Sequence, residues 1–113
     1  MEFLLLLHGD ESSWQRATEE ERQQTYAGHR AFMAALQDAG VKLVGGAELT
    51  HSSTATVVRG HGADAVVTDG PFAETREQLA GFYTIDVPTM EDAVEWARRL
   101  PSDIVEVRAA VQP

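Results

Sequence analysis

Apolar residues in this chain fall into short runs and two longer stripes. Phe3-Leu4-Leu5-Leu6-Leu7 is apolar at every position. A short uninterrupted run of this kind suits a strand covered on at least one face. Gly9-Asp10-Glu11-Ser12-Ser13 follows and reads as a turn-rich break. Thr18 with Glu21 makes a capping box, and Glu19 and Glu20 favour a helix start. That helix runs to about Ala39 and ends at Gly40, the residue type preferred just past a helix terminus. Tyr26, His29, Met33 and Leu36 recur at helical spacing, with Phe32 and Ala39 beside them, and predict its buried face.

Val41 to Ala47 reads as a second strand, with a bulge or close backbone approach at Gly45-Gly46. Leu49 to Ser53 is a connecting loop. Thr54 to Arg59 and Ala65 to Thr68 are β-prone runs joined by Gly60-His61-Gly62-Ala63-Asp64, the pattern of a hairpin. Asp69-Gly70-Pro71-Phe72 is a turn: Asp bonds nearby backbone, Gly takes unusual dihedrals and Pro presets its own. Ala73 to Ala80 is polar and reads as loop or one helical turn. Phe82 to Val87 alternates as a strand, with Tyr83, Ile85 and Val87 on one face. Thr89 caps a second helix, with Ala93, Ala97 and Leu100 on its apolar face and Pro101 as its stop. Ile104 to Ala110 is the last strand.

The resulting order is β-α-β-(hairpin)-β-α-β. Without the inserted β-hairpin it is βαββαβ, the ferredoxin-like α+β arrangement, with two helices on one sheet face. The bare sheet face needs cover, which predicts a homodimer. The whole chain, 1–113, is expected to be one domain, since domains commonly hold about 100–150 residues.

Composition narrows the chemistry. The 113 residues include 18 Asp and Glu against 9 Lys and Arg, a formal charge of −9. Phosphate neutralisation needs clustered Lys and Arg, so nucleic acid is not an expected partner. There is no Cys, which excludes disulfides, thiolate metal sites and a thiol nucleophile. Lys42 is the single lysine and limits Schiff-base chemistry to one position. At 43% hydrophobic the chain is too apolar for a disordered acidic tail. The run Phe3–Leu7 is too short for a signal peptide or a membrane helix. The expected location is therefore the cytoplasm, with no membrane partner. His8, His51 and His61 show no metal spacing, and no phosphate loop, dinucleotide fingerprint or hydrolase elbow is present. No cofactor or metal is expected. Trp14 and Tyr83 could line an apolar pocket, although Trp14 also suits a lid over the core.

Several stretches resemble the DGPF-domain proteins of the YCII-related family. They are Leu4-Leu5-Leu6 with Gly9-Asp10-Glu11, Ala39-Gly40-Val41 leading into Gly45-Gly46, and the block Val67 to Tyr83 that contains Asp69-Gly70-Pro71-Phe72. The tail fits as well, through Ala93, Trp96 and Ala97 and then Val105-Glu106-Val107-Arg108. The resemblance implies a dimeric α+β-barrel-type ferredoxin-like fold. It also implies a His and an Asp as candidate catalytic groups, and one relative in the family acts as a dehydrochlorinase. His29 matches the family His, eleven residues before the helix-ending Gly40. The family Asp precedes the Pro after the second helix, where this chain has Leu100 before Pro101. The carboxylate expected to serve His29 is then Asp69, with Asp10 second.

Two functions follow. In the first, a small molecule binds near His29, which does cofactor-free acid–base work of a lyase or isomerase kind; an imidazole titrating near 6.5 suits proton transfer. In the second, the chain is a non-catalytic regulatory or interaction module. DGPF proteins often accompany extracytoplasmic-function sigma factors, so the partner would belong to such a circuit. Each site residue also has a plain structural reading: His29 as a satisfied core histidine, Asp69 as a turn-former and Phe72 as a packing anchor.

Overall fold

The computed structural model describes residues 1–112. Its elements, in order, are β1 (Glu2–Asp10), α1 (Glu11–Arg16), α2 (Glu19–Asp38), β2 (Lys42–Glu48), β3 (Thr56–Arg59), β4 (Val66–Asp69), β5 (Glu77–Asp86), α3 (Met90–Ala97) and β6 (Ile104–Ala109). Four strands form one sheet in the order β2-β5-β1-β6, with antiparallel neighbours throughout. β3 and β4 form a separate two-stranded arm. The fold is α+β.

Alternation along the strands decides which face is covered. Phe3, Leu5 and Leu7 of β1 point the same way as Ile85 of β5 and Val105 and Val107 of β6. These meet Phe32 and Leu36 of α2, Ala93 and Trp96 of α3, and Leu100, in a single core. Leu5 and Ile85 are fully buried. Residues one step along, including Leu4, Leu6, Phe82 and Thr84, lie on the opposite face and are partly exposed. The thinnest dimension is 17 Å, the depth of one sheet and one helix layer.

Helix α2 begins where its capping chemistry predicts. The Thr18 side chain accepts from the Glu21 amide at 3.1 Å, and Glu21 accepts from the Thr18 amide at 2.8 Å. It ends at Gly40, whose φ of +71° lies in the left-handed region open to glycine. Met33 is 39% exposed rather than buried. It stands about 100° round the helix from Phe32, so it falls at the rim of the contact stripe.

Three local readings change. Glu11–Arg16 is helical, not a bare turn: the Asp10 carboxylate accepts from the Ser12 amide and caps it. A helix this short shows no apolar period, because none of its residues is buried. β5 starts at Glu77, inside the segment expected to be loop, because Glu77, Gln78 and Leu79 pair with Asp10, Gly9 and His8. Phe72 is 74% exposed, with the Arg59 guanidinium 5.1 Å from its ring, and is no packing anchor in the single chain.

Candidate functional site

α2 crosses the sheet on its β5–β2 side and brings His29 over Tyr83. The imidazole Nδ1 lies 2.7 Å from the Tyr83 hydroxyl, and the two rings are stacked with centroids 5.8 Å apart. Phe32, one turn on, packs tilted against the same tyrosine ring at 4.9 Å. The sequence makes room for this in two places. A Cβ on Gly28 would come within 2.9 Å of Pro101 Cγ, so glycine lets α2 settle beside the turn after α3. A Cβ on Gly46 would lie 2.7 Å from the Phe82 carbonyl oxygen and 3.3 Å from Tyr83 Cδ1, so glycine lets β2 close onto β5 under the tyrosine.

One turn earlier on α2, the Tyr26 hydroxyl donates to the Glu48 carboxylate at the end of β2, at 3.0 Å. Trp14 of α1 meets the Tyr26 ring edge-on at 5.7 Å. Arg22 holds α1 in place by donating to the carbonyls of Trp14 and Gln15. Trp14, Tyr26, His29 and Tyr83 thus form a row along the seam between helix and sheet, with Glu48 at its side.

Electrostatics make the central pair neutral. Half-burial pushes the His29 imidazole below its ordinary 6.5, against a smaller upward pull from Glu48. Burial pushes the Tyr83 phenol up. At neutral pH His29 therefore carries a lone pair on one ring nitrogen. With Nδ1 engaged by Tyr83, Nε2 has no hydrogen-bond partner among the described residues. If the Tyr83 O–H donates to Nδ1, Nε2–H is a donor. If Nδ1–H donates to Tyr83, Nε2 is a base. A hydroxyl rotation and a tautomer change interconvert the two.

The structure brings neither Asp10 nor Asp69 to His29. Asp10 accepts from the Ser12 amide and hydroxyl and from Arg76 Nε at 3.1 Å. Those bonds hold its carboxyl well below the usual range. Asp69 ends β4 and lines an open cleft of about 690 Å³ with Ser52, Ser53, Gly70 and Pro71. Among the described residues its carboxylate has no hydrogen-bond partner. The turn itself is fixed by the Gly70 amide donating to the Ala55 carbonyl at 2.7 Å, and its Gly70–Pro71 bond is cis. A Cβ on Gly70 would meet Ala55 Cβ at 2.8 Å. Leu100, where the resemblance leads one to expect an Asp, is 7% exposed in the core.

His8 bonds Glu106 at 3.1 Å, away from this site. Sequence reasoning missed Tyr83 as the partner of His29 and Glu48 as the partner of Tyr26. The signal for Tyr83 existed: its alternation with Ile85 and Val87 puts it on the helix-facing side.

With this geometry established, comparison with known sequences decides the family. The profile of the YCII-related domain matches residues 1–109. The chain belongs to the YCII-related family. An uncharacterised protein of Rhizobium meliloti (strain 1021) is 36% identical to this YCII-related chain over 100 residues, which cover 88% of it and 80% of the relative. In this YCII-related chain, no described helix is long and apolar enough to cross a membrane.

Proposed function

We propose that this YCII-related domain binds a small organic molecule against the seam between α2 and β5, with His29 as a cofactor-free acid–base group and Tyr83 as its partner. The observation that carries the reading is the 2.7 Å contact between His29 Nδ1 and the Tyr83 hydroxyl, with the imidazole half-buried and neutral. One neutral imidazole can take a proton at Nε2 and return it, which is what elimination and isomerisation require. Aromatic walls from Trp14, Tyr26 and Tyr83 suit an aromatic or carbonyl-bearing compound. Glu48 accepts from Tyr26 but has no cationic partner among the described residues, and its charge disfavours an anionic one.

Further elements of the reading concern the assembly. The strand order β2-β5-β1-β6 supports the ferredoxin-like arrangement with an inserted hairpin, and the block Val67 to Tyr83 supports the DGPF subgroup. The partly exposed face of Leu4, Leu6 and Phe82 supports a homodimer of the dimeric α+β-barrel type. A cytoplasmic location goes with this reading. A sedimentation mass equal to one chain at micromolar concentration overturns the dimer.

The test of the site is a thermal-shift screen of small metabolites on wild type and His29→Ala. A ligand at a hundred times its Kd adds about 2.7 kcal/mol, a shift of about 11 °C for a domain of this size. At least one compound should raise the melting temperature of wild type and leave His29→Ala unmoved. A screen without hits, or with hits indifferent to His29, overturns the site.

One observation favours the second reading, a regulatory module working with an extracytoplasmic-function sigma factor. Val58 and Val67, paired across the arm, are 61% and 64% exposed, an apolar pair on one face that suits a protein partner. Under that reading, Val67→Asp abolishes binding to a purified sigma factor and leaves ligand shifts at His29 intact.

A further inference from the structure

Away from the His29 seam, a second group of reactive side chains surrounds the short 3₁₀ turn Ser52–Thr54. The Ser53 hydroxyl lies 2.9 Å from His51 Nδ1. The Ser53 amide also donates to that nitrogen, at 3.1 Å. A ring nitrogen that accepts from an amide carries no proton, so the single proton of the neutral imidazole is on Nε2. Nε2 lies 3.6 Å from Glu11 Oε1. Glu11 is held in turn by the Ser52 amide at 2.7 Å and by the Ser52 hydroxyl. Burial raises the Glu11 carboxyl, but the Ser52 bonds and the nearby His51 outweigh it and keep it ionised.

The order in space is hydroxyl, a nitrogen whose lone pair the hydroxyl shares with the Ser53 amide, N–H, and a carboxylate at ion-pair distance, which is the polarity of an activated serine. Two clefts meet at this turn. Ser53 lines the polar one of about 690 Å³, beside Asp69 and Glu74. His51 lines an apolar one of about 450 Å³, with Leu49, Ala55, Phe72 and Leu79.

We propose that Ser53, His51 and Glu11 form a second site, in which Ser53 takes the acyl group of a small, uncharged or cationic activated ester. Ser53 Oγ attacks the carbonyl carbon while its proton passes to the His51 Nδ1 lone pair, which lets go of the Ser53 amide as it takes the proton. The bond to the leaving-group oxygen breaks, and that oxygen takes the proton from His51 Nδ1. Water then attacks the acyl-serine carbonyl, gives its proton to His51, and the Ser53 oxygen recovers it as the acid is released. Glu11 positions the ring and balances its transient charge. The apolar cleft accepts the hydrocarbon part of the ester, and Asp69 and Glu74 repel anionic ones.

p-Nitrophenyl acetate is the probe, with peptide mass mapping as the readout. Acetyl should appear on Ser53 in wild type and equally in His29→Ala, which separates this site from the seam. It should be absent from Ser53→Ala and form about a hundredfold more slowly in His51→Gln, the usual weight of a general base. Glu11→Gln, which keeps an acceptor for Ser52, should slow it by a smaller factor. Ser53 is exposed, so Ser53→Ala should retain the wild-type melting temperature. Acetyl confined to Lys42 or the terminal amine, or reaching Ser53 as fast in His51→Gln, overturns the proposal.

Discussion

Replacing Tyr83 by Phe removes one oxygen and leaves the ring. The lost group is the hydroxyl 2.7 Å from His29 Nδ1. The retained ring still packs on Phe32 at 4.9 Å and on the His29 ring at 5.8 Å. The cost is thus one neutral hydrogen bond, about 1 kcal/mol net, because water reaches the half-buried imidazole and limits the penalty of an unmet ring nitrogen. For 113 residues that is a melting-point drop of about 4 °C. Tyr83→Ala also removes the ring and should cost about 3–4 kcal/mol. The decisive assay is a double-mutant cycle in urea, pairing Tyr83→Phe with His29→Ala. The coupling energy should be about 1 kcal/mol. A coupling near zero refutes the hydrogen bond as a working contact. A Tyr83→Phe loss as large as that of Tyr83→Ala shows that the ring position, not the hydroxyl, has been disturbed.

Other consequences are as direct. The folded state protonates His29 less readily than the unfolded chain, so its contribution to stability is complete above about pH 6.5 and is lost as pH falls through the lower folded pKa. Denaturation of wild type and His29→Ala across pH 4–8 should show the extra slope in wild type, and NMR should place the His29 midpoint below 6.5. Gly46→Ala puts a methyl 2.7 Å from a backbone oxygen that cannot rotate away, so β2 must shift, at a cost of about 1–3 kcal/mol in urea denaturation. Thr18→Ala removes the side-chain half of the capping box and should cost about 1 kcal/mol by the same assay. Val67→Asp, at a position 64% exposed on the arm, should leave the melting point in thermal denaturation unchanged.

What could be read in the sequence divides by the range of the interaction responsible. The start and end of α2 depend on Thr18, Glu21 and Gly40, each acting within four residues, and they lie where those residues put them. The arm was legible for the same reason, since β3 and β4 pair across one short turn. The extent of β5 was not. Glu77 and Gln78 look like loop residues, and they are strand because β1 runs on to Asp10 and supplies their partners. The short α1 is likewise held by long-range contacts, through Arg76 on Asp10 and the Ser52 pair on Glu11, which leave no periodic trace. His29 itself was found by position on the helix, but its partner stands 54 residues away on another element. No local pattern joins the two. Only the face on which Tyr83 falls hints at the meeting.

That pairing bears on the vacant carboxylate position. The turn after α3 packs directly on α2, since Pro101 fills the space a side chain at Gly28 would need. Position 100 thus lies one residue from the contact with the segment that carries His29. This chain places Leu there and buries it among Phe3, Phe32 and Ala93 in the common core. An isolated carboxylate at so buried a position would be costly to ionise unless paired. Leucine instead contributes packing, and the hydrogen-bond partner of Nδ1 comes from β5. The exchange changes the chemistry. A carboxylate beside the ring would raise the imidazole pKa and favour its charged form, whereas here burial outweighs the pull of Glu48 and leaves it neutral. His29 is therefore suited to accept a proton near neutral pH and poorly suited to hold one. Its reaction, on the proposed reading, should quicken as pH rises through the lowered pKa and then level off.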